Sequence, residues 1–268
     1  MPRANRCFLP GHIWHITHRC HKKEFLLKFA QTRQRYTYWL FQARKRFEVE
    51  ILNYTITSNH VHLIVRGGGC NQGIPSLMQL VAGRTGQEYN TRKQRKGAFW
   101  EDRYHATAIE TGAYLRRCLL YVDFNMVRAG VVKHPREWAH GGYHEIQGNK
   151  QRNTIINLPA LMEALEIDNV ETLRTAHREW TAEALQENTS ERRGFWSESV
   201  AVGSEGFTLA TQTALGVKGR RCEVVTGDDV CVLREEEASY GADFGGKSSA
   251  IAQNNPYLSN ISSVITES

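Results

Sequence analysis

His60 and His62 lie two residues apart in HVHLIV, a stretch whose alternation predicts a β-strand. Side chains alternate across a strand, so both imidazoles leave one face while Val61 leaves the other, with Cα atoms about 6.5 to 7 Å apart. Two neutral imidazoles so placed can chelate one divalent cation. A half-exposed strand that happens to alternate histidine with aliphatics has the same spelling. Tyr121 and Asn125 form a second pair, four residues apart in a segment of helical period, which puts them about 6 Å apart along the axis on one side of a helix. Tyr121 interrupts an apolar stripe of Leu115, Cys118, Leu119 and Val122 that reads as core. It fits either a packed ring with a satisfied hydroxyl or a phenol offered to a ligand. His12, His15, His18 and His21 look like a further cluster, but an extended chain sends 12 and 18 to one face and 15 and 21 to the other. They cannot converge on a cation, and like His105 and His177 they are expected as structural or surface groups.

Positioning these groups requires a sheet and at least one helix. Residues 12–20 predict a first strand, and Tyr36, Trp39, Leu40, Ala43 and Phe47 recur at helical spacing after it. Residues 48–57 and 60–65 read as two strands joined at Ser58-Asn59, a hairpin. Residues 74–89 predict a second helix, 91–97 a basic loop, 104–110 a strand and 111–127 a helix that Gly130 stops. The order strand, helix, strand, strand, helix, strand, helix fits an α+β fold of the ferredoxin-like or RRM-like kind, an antiparallel sheet with helices packed mainly on one face. Residues 151–236 read as an acidic, mostly helical C-terminal extension, with helices over 158–165, 170–185 and 204–215 and a short hairpin around Thr226-Gly227. Residues 237–268, rich in Gly, Ser, Ala and Asn, are expected to form a disordered tail.

The chain has 268 residues, 41% hydrophobic and 23% charged, which excludes collagen-like, wholly disordered and disulfide-scaffold classes. No apolar run approaches the roughly 18 residues of a membrane span, and residues 1–10 lack the apolar stretch of a signal peptide, so no membrane partner is expected. Six scattered cysteines without a C-x-x-C pair argue for reduced thiols. Residues 1–150 carry 24 Lys and Arg against 10 Asp and Glu, while residues 151–268 carry 10 against 18. The front is a polycation suited to a polyanionic partner. The acidic rear raises the expectation that it folds back on that basic face and restrains it, so that truncation after about residue 150 would increase affinity for DNA at low salt.

Residues 54–65 (YTITSNHVHLIV) resemble the HUH signature, in which two histidines flank a hydrophobic residue. Residues 119–131 (LLYVDFNMVRAGV) resemble the Y-I-x-x-N-P-V-R-A-G helix of single-tyrosine transposases, and residues 89–104 (YNTRKQRKGAFWEDRY) are similar to a stretch found in their REP-associated branch. The resemblance covers about residues 1–150, with Met126 where the family commonly has proline. It implies His60, His62 and Asn125 as ligands of a divalent metal ion, Mg²⁺ or Mn²⁺, and Tyr121 as the nucleophile. A phenol of pKa about 10 is almost wholly protonated at neutral pH, so a cation acting as Lewis acid on the scissile phosphate would be needed as Tyr121 attacks phosphorus in line. The implied product is a covalent 5′-phosphotyrosine and a free 3′-hydroxyl, and the implied substrate is single-stranded DNA beside a hairpin. Arg92, Lys93, Arg95, Lys96 and Arg103, together with Arg3 and Arg6 of the N-terminal arm, are the expected DNA contacts. Phe99 and Trp100 are expected to pack in the core. A cytoplasmic, nucleoid-associated protein, as a possible homodimer, completes the expectation. The competing readings are a domesticated DNA-binding regulator of the same fold without strand cleavage and, less favoured, a metal-dependent hydrolase of small phosphoesters.

Overall fold

Alternation of large apolar groups with His and Thr drives residues 13–19 into a central strand, buried on both faces. The computed structural model describes residues 8–68, 72–149, 153–187, 193–227 and 230–235; Arg3, Arg6 and the tail expected over 237–268 lie outside them. The front part runs β1 (Ile13–Arg19), α1 (Ala30–Arg46), β2 (Val49–Ile56), β3 (His60–Gly67), α2 (Gly73–Arg92), β4 (His105–Ile109), α3 (Ala113–Asp123) and α4 (Asn125–Arg128). Its strands pair antiparallel in the order β2-β3-β1-β4, the α+β ferredoxin-like arrangement.

The two faces are covered differently. Trp14, Ile16 and His18 of β1 share the face of Val61, Leu63 and Val65, on which α1 and α2 lie. There Trp100 stacks on His18 at 4.1 Å between ring centroids, and Tyr36 of α1 meets Trp100 edge-on at 6.1 Å. His15 and Thr17 share the opposite face with His62, Ile64 and Thr107. That face is covered by α3, α4 and, from the rear part, α8 (Phe195–Glu198). The helices therefore divide between the two faces, and the chemically interesting face is the one opposite α1 and α2.

The rear part contains the expected helices, with α5 (Tyr143–Ile146) preceding α6 (Leu158–Ala164) and α7 (Val170–Gln186), and α9 (Glu205–Ala214) following α8. Asn157, Asn169 and Ser204 each cap the helix that follows through a side-chain oxygen. Among the described residues it also contains three strands. β5 (Ala201–Gly203) lies parallel to β4, with Ala108 opposite Ala201 and Ile109 opposite Val202. The hairpin expected around Thr226-Gly227 is β6 (Cys222–Thr226) and β7 (Cys231–Glu235), and β7 pairs antiparallel with β5. One sheet of order β2-β3-β1-β4-β5-β7-β6 results, and the chain through Glu235 clusters as one compact unit. Cys20, Cys118, Cys222 and Cys231 are buried. Among the described residues, no helix is long and apolar enough to cross a membrane.

One expectation is corrected in detail. The helix foreseen over 111–127 begins after Gly112, whose φ of +65° suits glycine, and is interrupted at Phe124, where ψ is near 0°. α4 carries the chain on from Asn125. Gly130, at φ +68°, ends it as expected.

Candidate cation and tyrosine site

The β2–β3 hairpin sets the first two side chains. Thr57 Oγ1 accepts from the backbone N–H of Asn59 and of His60 and donates to the His60 carbonyl, closing the turn. The Nδ1 of His60 is held by two oxygens, Asn59 Oδ1 at 2.7 Å and Thr57 Oγ1 at 3.0 Å. The Asn59 amide oxygen can only accept, so Nδ1 carries the proton. The lone pair of neutral His60 therefore sits on Nε2. His62 is 3% exposed, and its ring centroid lies 4.8 Å from that of His60. Its Nδ1 is 2.9 Å from His15 Nε2 and its Nε2 is 2.7 Å from the Asn125 amide nitrogen. Burial, with His60 and His15 nearby, holds His62 well below the usual imidazole pKa, and burial brings His15 down to about 4. Both rings are neutral at pH 7.

Tyr121 projects from α3 against this pair. Its ring centroid lies 5.9 Å from His62 and 5.8 Å from His15, edge-on to both, and 6.2 Å from Trp196. The Arg128 guanidinium sits 4.2 Å from the Tyr121 ring centroid and donates to the Tyr121 carbonyl, placing a half-buried cation beside the phenol. Only 8% of Tyr121 is exposed. The interruption at Phe124 does not separate Tyr121 from Asn125, because both reach His62 within one chain. Below them, Asp123 accepts from Asn53 Nδ2 at 3.0 Å and from His177 Nε2 at 2.8 Å, while Gln147 donates to His177 Nδ1 at 2.9 Å. This buried chain of hydrogen bonds ties β2, α3, α5 and α7 directly beneath the tyrosine.

The donor set fits a divalent cation. Two imidazoles present Nε2 lone pairs while an oxygen or nitrogen holds each Nδ1, the pattern of neutral histidine ligands with fixed tautomers. An amide stands at the third corner, and turning it would offer Oδ1 in place of Nδ2. Among the described residues no group of three or more His, Cys, Asp or Glu side chains is gathered for a metal, so Asn125 is needed to make a third donor.

The expected DNA contacts fall at the strand end that carries His60, which is opposite Arg19. Arg92, Lys93, Lys96 and Arg103 are exposed there. Lys93 lies 5.0 Å from the Phe29 ring and Arg92 donates to Thr32. Arg95 is turned inward, donating to the Ala98 carbonyl and lying 3.6 Å from Glu24. Segment 100–103 is pinned beside β1 by Glu101 N–H to the Arg19 carbonyl and by His18 to the Asp102 carbonyl. Phe99 is buried, and Trp100 packs against His18 and donates to the Ala82 carbonyl. Three members of the site go beyond the residues that spacing and resemblance single out. His15 falls among the histidines expected to be structural, Trp196 contributes a backbone carbonyl that no side-chain pattern reveals, and Arg128 stands in the quoted helix without an expected role.

No curated protein sequence matches the chain. A solved structure described as the REP-associated tyrosine transposase bound to a REP hairpin is similar, with 18% identity, 55% of this chain and 86% of that chain covered, and a TM-score of 0.45. A family model described as the IS200-like transposase matches residues 10–124, the stretch that contains the hairpin and all of α3 and ends one residue before Asn125.

Proposed function

We propose that this chain nicks and rejoins single-stranded DNA beside a hairpin through a covalent 5′-phosphotyrosine on Tyr121. The observation that carries this reading is the Tyr121 ring packed 5.9 Å from the His62 ring, whose Nε2 is met by Asn125. His60, His62 and Asn125 would hold a divalent cation, Mg²⁺ or Mn²⁺, whose chemistry when bound is to draw charge from the scissile phosphate. Tyr121 Oη forms a bond to phosphorus as the bond to the 3′-oxygen breaks. The phenolic proton passes to solvent and the departing 3′-oxygen takes one up. Because the phosphodiester is exchanged rather than hydrolysed, the reverse attack by a 3′-hydroxyl reseals the strand without ATP. The positive charge of Arg128 beside the phenol favours the developing anion. Lys93, Lys96, Arg92 and Arg103 at the His60 end would meet phosphates and set register without reading bases.

The reading is tested with a 3′-labelled hairpin oligonucleotide and Mn²⁺. A labelled protein band that survives denaturing electrophoresis and vanishes in Tyr121→Phe is the expected result. The DNA-binding regulator draws support from Tyr121 being only 8% exposed; tight binding without any adduct would establish that alternative. Phosphoester turnover that survives Tyr121→Phe would point to the hydrolase.

A further inference from the structure

We infer that His15 is a positioning residue for the cation site, relaying the polarity of the Trp196 carbonyl to His62 so that the His62 lone pair stays on Nε2. The inference rests on the cation-assisted reading above and adds to it a residue and a chain segment.

The relay starts at an atom that cannot change its role. The Trp196 carbonyl oxygen only accepts, and it lies 2.7 Å from His15 Nδ1, so that nitrogen carries the proton. Neutral His15 then has its lone pair on Nε2, 2.9 Å from His62 Nδ1. His62 Nδ1 must therefore donate, which puts the second lone pair on His62 Nε2, where the Asn125 amide N–H meets it at 2.7 Å. The two ring planes are within 7° of each other, as an in-line transfer of polarity requires. The ionisable groups that act on the two rings from the packed elements are basic: Arg19, His60, His105 and Arg128. Among the described residues none of the charged groups acting on the two rings is acidic, so each ring keeps one proton and the sequence of donors has a single direction.

The two histidine ligands are thus oriented by different means. His60 takes its tautomer from its own hairpin turn, through Asn59 and Thr57. His62 takes its tautomer from α8, some 130 residues further along the chain and outside residues 10–124. Without an acceptor at Nδ1, a buried His62 would be free to place its proton on Nε2 and present N–H to the cation. The Trp196 carbonyl is fixed in turn by its neighbours in β5's approach. Ser199 accepts from Thr107 and His105, and Val200 N–H donates to Leu233.

The test combines ring-nitrogen NMR with Mn²⁺ titration. In the metal-free ¹⁵N-labelled wild type, long-range ¹H–¹⁵N correlation is expected to show His62 Nε2 unprotonated, with His62 Nδ1 and His15 Nδ1 protonated. A protonated His62 Nε2 overturns the relay, with no variant needed. His15→Phe, which keeps a flat ring but offers no acceptor, is expected to shift the His62 proton to Nε2. Its Mn²⁺ affinity, followed by electron paramagnetic resonance, should fall about 10- to 100-fold. His15→Gln, whose amide oxygen can accept from His62 Nδ1, should recover most of that loss. Unchanged His62 nitrogen shifts and unchanged Mn²⁺ affinity in His15→Phe would also overturn it. Wild-type protein that binds no Mn²⁺ would defeat the cation-assisted reading, while the metal-free spectrum would still decide the relay.

Discussion

His62 shows how much of a site one residue's neighbours determine. The pairing of His60 with His62 is legible in the sequence because strand alternation is a rule of geometry, and that of Tyr121 with Asn125 because helical spacing is another. His15 is not legible as part of the site: the same alternation that keeps it from joining His12 or His18 puts it on the His62 face, but only the register of β1 against β3 reveals that. Asp123 raises a parallel point, since its carboxylate receives Asn53 and His177 in the interior. Asp123→Asn would aim an N–H at one of these donors and leave it unpaired. The expected loss is about 1–3 kcal/mol in urea denaturation, accompanied by weaker DNA adduct formation because α3 carries Tyr121. On the surface, Lys93→Ala with Lys96→Ala should flatten the salt dependence of single-stranded DNA binding. The slope of log affinity against log salt should fall by about 0.7 for each phosphate no longer neutralised; an unchanged slope would place the strand elsewhere.

Elements long enough to show a period are legible, and short or interrupted ones are not. α1, α2 and α7 each repeat their apolar spacing over several turns, and β3 alternates through His60, Val61 and His62. β5 is three residues long, too short for any pattern, and its partner β4 lies far back in the chain. The interruption at Phe124 leaves no trace in the sequence because Tyr121, Val122, Asn125 and Met126 keep helical spacing across it. The segment joining the front to α5 offers a direct test of how closely these elements fit. A Cβ on Gly142 would strike Asn53 Oδ1, and would approach Ile156 Cδ1 to 2.8 Å. Asn53 is the residue that anchors Asp123 under the tyrosine. Gly142→Ala should therefore cost about 1–3 kcal/mol by overpacking, measured by thermal or urea unfolding, and should reduce adduct formation by displacing α3. A variant as stable as the wild type would mean that Asn53 can move without consequence.

At the scale of the whole molecule, stability should depend on pH through buried histidines. Burial brings both His15 and His18 down to about 4 from an ordinary value of 6.5. The folded state keeps them neutral while the unfolded chain takes up protons below pH 6.5, so their contribution is complete above that pH and is lost as pH falls toward 4. Within that window each should steepen the decline by about 1.4 kcal/mol per pH unit; urea midpoints at pH 7, 6 and 5 would show it. The acidic rear, expected from its charge to act as a restraint, also builds β5, β6 and β7 into the sheet and supplies the Trp196 carbonyl. Cutting the chain at residue 150 would remove packing and polarity together with charge, so a change in DNA affinity after truncation would not isolate the restraint. The parallel seam between β4 and β5 has a consequence for biosynthesis. Roughly ninety residues separate the paired positions, and pairings so distant along the chain form late. While a ribosome is still making α6 and α7, the border of β4 is bare on every emerging copy, and neighbouring polypeptides on one messenger have a moment in which to zip together there.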